Sequence, residues 1–574
     1  MAYQTDRPLM VQSDMSVLLE VHHAQYEEVR SRLSVFAELE KSPEHIHTYR
    51  MTPISLWNAA AAGMKTEEVL TVLREYSKFE VASNVLREIQ EYFQRYGMLR
   101  LVKEDDQLFL TSHDAQILNE LFQYRSMRPY VKQWVDEFTA EIDPFLRGRL
   151  KQEMMNLGYP VKDLAGYTEG TPLSLAWRLQ TLNGGNFTLR PYQQSAAESF
   201  YAEGSVYGGS GVLVLPCGAG KTVIGLAAAV QIQAEVLVLT SSVIATRQWI
   251  REFLDKTTIL PEQIGEYSGD CKEIRPITVA TYQILSYRKD KTSVFEHLSL
   301  FNERNWGLII YDEVHLLPAP VFRITADIQA KRRLGLTATL VREDGKEKDV
   351  FSLIGPKKYD APWKTLENQG WIATAVCKEI RVELSSSERR DYALSDSRSR
   401  ARLAAEASVK CDVVLYLVDK HRGDQILIIG QYLDQLEHIA DQLQAPLITG
   451  KMKHHDRDEL FQAFREGRNR LLVVSKVANF AIDLPDANVA VQVSGQFGSR
   501  QEEAQRLGRI LRPKKDGGQA HFYSVITKNT KDHDFAVNRQ RFLTEQGYQY
   551  IIYDAADLLP LEPELMRSPV MSWN

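Results

Sequence analysis

The sequence predicts a protein of the α/β class, in which two domains built on parallel sheets follow a mainly helical α+β region. Short apolar strands such as GVLVLP and LGLIIYD alternate with helical patterns from residue 188 to about 364. The same alternation of apolar strands and helical patterns returns from about residue 371, with strands such as QILIIG, RLLVVS and HFYSVI. Strands that alternate with helices form parallel sheets covered on both faces, and 574 residues are too many for one hydrophobic core. We therefore expect two α/β domains in tandem.

The first 170 or so residues have a different pattern, with helices and a few strands but no glycine-rich loop. TEEVLTVLREYSKF and SNVLREIQEYFQRYG place apolar residues at helical spacing, and MLRLVKEDDQLFLTS has two alternating stretches around a polar turn. Helices followed by a β-hairpin resemble a winged-helix module. A plain α+β accessory domain fits the same pattern, and we favour it over DNA binding through a wing. A second small unit ends in GYPVKDLAGY, and NGGNF is typical of a linker.

Composition excludes several classes of protein and leaves others open. With 69 basic and 75 acidic residues the formal net charge is −6, which neither requires nor forbids a nucleic-acid partner, because backbone N–H groups also bind phosphates. The four cysteines lie far apart without a CxxC pair, so neither a zinc site nor a disulfide framework is expected. No apolar run is long enough to span a membrane, and the N-terminus lacks the pattern of a secretory signal. We expect a cytoplasmic protein.

A buried strand, a short loop with two glycines and a helix follow one another in GVLVLPCGAGKTVIGLAAAV. Backbone N–H groups of such a loop and the N-terminus of the helix point at phosphate oxygens, Lys221 supplies a cation, and the Thr222 hydroxyl binds Mg²⁺. The full pattern G-x-x-x-x-G-K-[ST] begins with glycine, whereas this chain has Leu215 there. The strand-loop-helix context still predicts a nucleotide site. The loop consists of Pro216, Cys217, Gly218, Ala219 and Gly220.

Two acidic residues end a later apolar strand, LGLIIYDEVH. In a parallel sheet the carboxyl ends of the strands form the ligand crevice. Asp312 is placed to hold Mg²⁺ through water, and Glu313 is placed to orient and deprotonate an attacking water. Together with the phosphate loop, this pair predicts hydrolysis of a nucleoside triphosphate.

The second α/β block contains a cationic helical pattern, SRQEEAQRLGRILRPKK. Its i, i+4 and i+3 spacing places Gln505, Arg509 and Arg512 on one side of a helix. Phosphoryl transfer spreads charge over the γ-phosphate oxygens, and arginines from outside the loop can stabilise that charge. We expect Arg509 and Arg512 to do so if the two blocks face each other, so that ATP binding closes a cleft and hydrolysis opens it.

The motifs PCGAGKT, DEVH, TAT and QRLGRILR occur in this order and resemble the motif set of superfamily 2 helicases, over about residues 188–530. LRPYQ is similar to the adenine-recognition motif of that superfamily, which assigns Gln193 and Arg190 to ATP. LPCGAGKT and GLTATLVREDGKEKDVFSLIGPKKYDAPW resemble the XPB family more specifically, with an Arg-Glu-Asp triplet that marks it. The triplet consists of Arg342, Glu343 and Asp344.

The resemblance implies RecA-like folds for both α/β domains and an organisation in four parts, with the N-terminal region of the bacterial type. The expected parts are a helical or winged-helix-like accessory domain at 1–128, a small α/β module and linker at 129–187 that is similar to a damage-recognition module, a first RecA-like domain with the ATP site at 188–368, and a second RecA-like domain at 369–574 with a short thumb-like insertion and a C-terminal extension.

The resemblance also implies an activity, namely a DNA helicase that uses ATP and Mg²⁺, moves 3′ to 5′ and acts in nucleotide excision repair or DNA opening. Its partners would be single-stranded, forked or duplex DNA and, as for family members outside eukaryotes, a nuclease; the motor would be monomeric. Asp483 in SKVANFAIDLPDANVAV is assigned to the ATP site. Residues assigned to DNA binding, or to its coupling with ATP, are Ser241, Gln248, Trp249, Thr281, His315, Thr337 and Thr339.

The motif set is compatible with more than one function. We favour a helicase that separates DNA strands. A motor that translocates on duplex DNA without unwinding it would use the same cleft. A DNA-binding scaffold that ATP merely switches would lack Glu313 or the arginines, and both are present. The Arg-Glu-Asp triplet acts at the DNA fork if the resemblance holds, or forms a surface ion-pair cluster of little energetic weight.

Overall fold

The computed structural model describes residues 6–43, 45–105, 107–182, 184–216, 218–290, 295–329, 331–339, 347–475, 487–495 and 519–559. Residues 1–215 and 220–361 form one compact unit, and residues 216–219 and 362–574 form another. Within the described parts of the chain, no helix is both long enough and apolar enough to cross a membrane.

The chain begins with an antiparallel sheet of four strands in the order β1-β2-β4-β3, packed with four helices around one core. Leu19 and Tyr49 from the sheet and Leu73 and Ile89 from the helices are buried in this core. The strands are β1 (Leu9–Val11), β2 (Ser16–Glu20), β3 (Glu38–Lys41) and β4 (Ile46–Arg50). The helices are α1 (Tyr26–Leu33), α2 (Pro53–Ala61), α3 (Thr66–Tyr76) and α4 (Ser83–Arg95).

The expected hairpin of MLRLVKEDDQLFLTS is confirmed as β5 (Leu99–Glu104) and β6 (Gln107–Ser112), which pair antiparallel. Both of its edges are covered, because β6 pairs with β8 and β5 pairs with β9 in a sheet of order β7-β8-β6-β5-β9. The hairpin is therefore an internal part of a larger sheet and has no free edge strand among the described residues. The other elements of this module are α5 (Ala115–Gln123), β7 (Val131–Asp136), β8 (Thr139–Ile142), α6 (Arg147–Asn156) and β9 (Val161–Asp163).

The boundary expected at residue 128 falls inside this five-stranded sheet. Leu101 and Leu110 before the boundary share one core with Ile142 and Met154 after it. The preceding core ends at Phe93. The break between the first two modules therefore lies after α4, because the alternating strands on both sides of residue 128 bury their apolar faces together.

The first parallel sheet has seven strands in the order β12-β13-β11-β14-β15-β10-β16, and every neighbouring pair is parallel. Its strands are β10 (Ser210–Val214), β11 (Val236–Thr240), β12 (Ile264–Tyr267), β13 (Ile277–Thr281), β14 (Leu308–Asp312), β15 (Arg332–Thr337) and β16 (Lys357–Asp360). Its helices are α7 (Pro191–Tyr201), α8 (Lys221–Ile232), α9 (Val243–Lys256), α10 (Tyr282–Leu285), α11 (Leu300–Glu303), α12 (Ala319–Asp327) and α13 (Glu347–Asp349).

The second parallel sheet has the order β19-β20-β18-β21-β22-β17-β23 and is also parallel throughout. Its strands are β17 (Ala375–Val382), β18 (Ile426–Ile429), β19 (Leu447–Ile448), β20 (Leu471–Val474), β21 (Val489–Gln492), β22 (Ala520–Thr527) and β23 (Tyr550–Asp554). The helices of this unit with described bounds are α14 (Trp363–Asn368), α15 (Ser386–Leu394), α16 (Ser397–Ala405), α17 (Val409–Lys420), α18 (Leu433–Leu443), α19 (His454–Arg465), Lys531–Glu545 and Ala555–Leu558.

The two parallel sheets have one topology. In each sheet the third, fourth, second, fifth, sixth, first and seventh strands in chain order lie side by side. The prediction of two α/β domains in tandem after an α+β region is therefore confirmed. The division at residues 368 and 369 stays a prediction.

A buried cluster of charges joins the five-stranded module to the first parallel sheet. Asp163 at the end of β9 accepts hydrogen bonds from Arg147 Nη2 at 2.7 Å and from Lys151 Nζ at 2.9 Å. Lys151 Nζ also donates to Gln329 Oε1 at 2.8 Å. Burial would raise the pKa of Asp163, but the charges of Arg147 and Lys151 hold it well below its usual value. One carboxylate thus serves as the shared counter-charge of two buried cations, and the cluster keeps a net positive charge.

We predict that Asp163→Asn lowers the free energy of unfolding by about 3 kcal/mol, because it leaves two buried cations without their counter-charge. The measurement is urea denaturation of the wild-type protein and the variant. Glu137→Gln, which removes an exposed carboxylate from the same module, serves as the control. An effect of Asp163→Asn no larger than that of the control would contradict the assigned role of this cluster.

Candidate nucleotide site

The predicted site residues follow three neighbouring strands of the first parallel sheet. β15 lies between β10 and β14, and all three run parallel. Val214 at the end of β10 pairs with Thr337, and Asp312 at the end of β14 pairs with Leu336. β10 and β14 are therefore two strand spacings apart, which is about 10 Å. The segments that follow these strands therefore leave one short edge of the sheet together.

The loop after β10 has the backbone of a phosphate cradle. Gly218 has φ +82° and Gly220 has φ +79°, a left-handed conformation that glycine adopts without strain. Helix α8 begins directly after Gly220, so its first N–H groups, which have no partner within the helix, lie at the end of the loop. Leu215 explains the departure from the full glycine pattern. Its N–H donates to the Thr337 carbonyl at 3.0 Å, so the chain still runs alongside β15 at that position, directly after the end of β10.

Lys221 and Glu313 form an ion pair beside this loop. Lys221 Nζ donates to Glu313 Oε1 at 2.9 Å, and both side chains are largely buried. Burial alone would raise the pKa of Glu313, but the charge of Lys221, with a contribution from His315, holds it below its usual value. Glu313 is therefore a carboxylate at neutral pH, as a group that accepts a proton must be.

Glu313 has a strained backbone, with φ +50° and ψ +55° in the left-handed region. This conformation costs a non-glycine residue on the order of 1–2 kcal/mol. It turns the chain sharply at the end of β14. The buried Oε2 atom of Glu313 accepts no hydrogen bond from the described residues, and such an acceptor is suited to a water molecule. Strain of this kind concentrates at functional sites.

Asp312 is fixed from two sides. The indole N–H of Trp249 donates to Asp312 Oδ2 at 2.9 Å, and the hydroxyl of Tyr282 donates to the Asp312 carbonyl at 2.9 Å. Burial and the neighbouring charge of Glu313 raise the pKa of Asp312 to about 6, although Lys221 and the hydrogen bond from Trp249 act in the opposite direction. Asp312 thus carries its negative charge at a position where a cation would stabilise it further.

A series of close polar contacts leads from Glu313 to the end of β15. Nδ1 of His315 lies 3.4 Å from Glu313 Oε2 and 2.7 Å from Thr337 Oγ1. The Thr337 hydroxyl donates its own proton to the Thr339 carbonyl at 2.6 Å. His315 Nδ1 must therefore carry a proton and donate it to Thr337. All three side chains of His315, Thr337 and Thr339 are buried.

The adenine-recognition residues meet the phosphate loop through Gln193. Oε1 of Gln193 accepts a hydrogen bond from the N–H of Arg190 at 3.0 Å at the start of α7. Its amide nitrogen lies so close to Gly220 that a Cβ added there would come within 2.5 Å. Gly220 is therefore needed both for its conformation and for the approach of Gln193.

Mg²⁺ fits the residues at this edge. Among the described residues no group of three or more His, Cys, Asp or Glu side chains is arranged to hold a metal ion. Mg²⁺ in nucleotide sites is bound by only one or two carboxylates together with phosphate oxygens and water. Asp312, with its raised pKa and buried charge, and the hydroxyl of Thr222 in the first turn of α8 would hold it.

Two residues expected on the DNA track lie in the interior instead. Trp249 is 1% exposed and Thr281 is 1% exposed. The ring of Trp249 fills the space above Gly225 of α8, where an added Cβ would come within 2.4 Å of it. Thr281 caps α10 by accepting a hydrogen bond from the N–H of Ile284 at 3.3 Å. Trp249 also donates to Asp312, whereas Ser241 and Gln248 are partly exposed.

Several predicted site residues lie outside the described residues. They are Cys217 of the phosphate loop, the triplet Arg342, Glu343 and Asp344, Asp483, and the cationic-helix residues Gln505, Arg509 and Arg512. Their roles stay predictions.

The sheet edge, the phosphate loop and the Lys221–Glu313 pair define the class of protein as a motor with two RecA-like domains that hydrolyses a nucleoside triphosphate. Family models agree with this class. Residues 366–566 match the "ERCC3/RAD25/XPB C-terminal helicase", residues 186–342 match the "Type III restriction enzyme, res subunit", and residues 9–134 match a "Helicase conserved C-terminal domain".

Full-length relatives narrow the class to one family. The chain is 53% identical to the DNA 3′-5′ helicase XPB of Mycobacterium tuberculosis, over 97% of this chain and 99% of the relative. It is 52% identical to the protein of the same name from Kineococcus radiotolerans, over 96% and 98%. A "General transcription and DNA repair factor IIH helicase/translocase subunit XPB" from Enterocytozoon bieneusi is 33% identical over 95% and 92%. The chain belongs to the XPB family of DNA 3′-5′ helicases, which confirms the resemblance seen in its motifs.

We predict that Glu313→Gln retains ATP binding but lowers ATP turnover by roughly 10²- to 10⁴-fold, because an amide cannot accept a proton from water. Binding is measured with a fluorescent ATP analogue and turnover by phosphate release. Glu296→Gln, at a partly exposed carboxylate paired with Lys289, is the matched control. Turnover close to the wild-type rate in Glu313→Gln would remove Glu313 as the base.

We predict that Trp249→Phe lowers ATP turnover by about tenfold or more, because it removes the N–H group that fixes Asp312. A hydrogen bond to a charged group contributes about 1.5–3 kcal/mol, and losing that energy in the transition state gives a fall of this size. DNA affinity without ATP should stay unchanged, because the ring is buried. Trp177→Phe is the control. A loss of DNA affinity with unchanged ATP turnover would instead support a role for Trp249 in DNA binding.

Proposed function

We propose that the chain is an ATP-driven DNA helicase that moves 3′ to 5′. The observation that carries this proposal is the buried contact between Lys221 and Glu313 at the edge where the phosphate loop and Asp312 also end. Its family relatives, which cover nearly the whole chain, are named as DNA 3′-5′ helicases. In this proposal the first parallel sheet carries the phosphate loop, the metal ligand and the base.

In this proposal Lys221 and the N–H groups at the start of α8 bind the β- and γ-phosphates of ATP. Glu313, held ionised by Lys221, orients water and takes its proton. When bound, Mg²⁺ would neutralise phosphate charge, with Thr222 and Asp312 as its protein ligands. Gln193 and Arg190 would select adenine. Because Lys221 binds Glu313, incoming phosphates must draw Lys221 away or share it, which ties release of the base to arrival of ATP.

The second parallel sheet would supply the groups that complete hydrolysis. We assign Arg509 and Arg512 to the γ-phosphate, Gln505 to their support and Asp483 to the nucleotide. The identical strand order of the two sheets supports a second domain of the same type as the first. Arginines supplied to a phosphoryl group from outside its loop contribute roughly 10³- to 10⁵-fold to turnover.

Coupling to DNA would use the series of close polar contacts from Glu313 through His315 and Thr337 to Thr339. Thr339 is followed three residues later by the triplet that begins with Arg342, which we place at the DNA fork. Ser241 and Gln248 are partly exposed and would line the DNA track. A change at the γ-phosphate would thereby be passed toward the DNA through a few neighbouring side chains.

Nucleotide excision repair or DNA opening would be the cellular setting, with a nuclease as partner and the motor acting as a monomer in the cytoplasm. The eukaryotic relatives are named as subunits of a general transcription and DNA repair factor. That name supports a role in which DNA is opened for other proteins.

A duplex translocase is the second candidate function. The same eukaryotic relatives are named helicase/translocase subunits, and both activities would use one ATP site. A translocase would hydrolyse ATP on duplex DNA without releasing a strand.

Strand displacement tests the proposal. We expect release of the labelled strand from a duplex with a 3′ single-stranded tail, no release from one with a 5′ tail, and DNA-stimulated ATP turnover in both samples. Lys221→Ala is the control, because without its ammonium group both turnover and release should be lost. DNA-stimulated turnover without release from either duplex would favour the translocase, and release from the 5′ tail alone would overturn the assigned polarity.

A further inference from the structure

A cavity of about 240 Å³ lies where three parts of the first compact unit meet. Its walls come from the segment 60–63 and Tyr96 of the N-terminal domain, from β9 and its neighbours in the five-stranded module, and from residues 206–210 and 351–358 around the first parallel sheet. A single water needs only about 10–15 Å³, so the cavity has room for a small organic or inorganic ion. It is separate from the phosphate loop.

Three lysines line this cavity, and one carboxylate faces them. They are Lys151, Lys162 and Lys358, with Asp163. Lys358 Nζ donates to the carbonyl of Tyr207 at 2.8 Å, and Lys162 Nζ lies 5.2 Å from the centre of the Tyr207 ring. Both ammonium groups thus approach one residue from different elements. Neither forms an ion pair with a carboxylate among the described residues.

The single carboxylate is already neutralised. Asp163 binds Arg147, which is buried, at 2.7 Å as well as Lys151 at 2.9 Å. The local charge therefore remains positive by more than one unit. Two of the lysines have lowered pKa values, which means that their charged forms are destabilised. Burial, and then the charge of Lys162, lowers the pKa of Lys358, and burial lowers the pKa of Lys151 to about 8 despite Asp163.

Like charges held together in a partly buried space are stabilised by an anion between them. Lysine ammonium groups bind phosphate as point charges, without the planar match that arginine and carboxylate make. A phosphate group also carries more than one negative charge near neutral pH, which matches the excess of positive charge better than a single carboxylate does.

We propose that this cavity binds a phosphate group through Lys162 and Lys358, with Lys151 as the third cation. The group could belong to a small free ligand, such as inorganic phosphate or a nucleotide, or to the DNA backbone. A bound phosphate would join the N-terminal domain and the five-stranded module to the first motor domain. β10, which leads into the phosphate loop, begins at Ser210 in the wall of this cavity.

The experiment uses the full chain with Lys221→Ala as background, so that the ATP site contributes little phosphate binding. Thermal unfolding is followed during titration with sodium phosphate, against sodium chloride at equal ionic strength. We expect phosphate to raise the unfolding temperature, and the double variant Lys162→Gln/Lys358→Gln to need at least tenfold more phosphate for the same rise. Lys357→Gln is the matched control, because Lys357 is paired with Asp360 at 2.7 Å and does not line the cavity.

The stability of the double variant without phosphate separates binding from misfolding. Removing two like charges should leave the unfolding temperature unchanged or higher, so a fall would mean that the lysines only stabilise the fold. DNA binding distinguishes the two sources. If the group is a backbone phosphate, the double variant should bind duplex DNA more weakly and with a smaller dependence on salt, whereas a free ligand leaves DNA affinity unaltered. No phosphate response and no change in DNA binding would overturn the proposal.

Discussion

The ion pair of Lys221 and Glu313 is the contact on which the proposed chemistry depends. It joins the start of α8 to the end of β14 across the intervening strand β15, and it keeps Glu313 ionised in a buried position. Burial favours a protonated Glu313, which could not accept a proton, and the charge of Lys221 is the largest influence that opposes this. In the proposed mechanism the phosphate-binding cation therefore also keeps the base ionised, so one substitution at Lys221 would impair both functions.

The elements behind this pair constrain it further. Trp249 on α9 holds the carboxylate of Asp312, and Tyr282 on α10 holds its carbonyl. These helices follow strands β11 and β13, so four strands of one sheet contribute to the position of two carboxylates. The parallel arrangement makes this possible, because it brings the carboxyl ends of strands far apart in sequence to a single edge.

The sequence was sufficient for the parallel sheets, the phosphate loop and the acidic pair, since each depends on short-range patterns. GVLVLP and LGLIIYD are strands, and Lys221 and Asp312 follow them as expected. The pattern could not reveal that Trp249 and Thr281 are buried, because that depends on how α9 and α10 pack on the sheet. It also could not reveal that the β5–β6 hairpin is enclosed by β8 and β9, or that Lys162 and Lys358 meet across nearly two hundred residues, since both are long-range pairings.

The two parallel sheets share one order of seven strands, but the chain takes a different path after the first strand of each sheet. After β10 the chain forms a glycine loop and then α8, whereas after β17 it continues as ELSSSERR, without glycine, into the capped helix α15. The described segment after β17 therefore lacks the glycines of the loop after β10, so the proposed ATP site draws its phosphate loop from one of the two sheets alone.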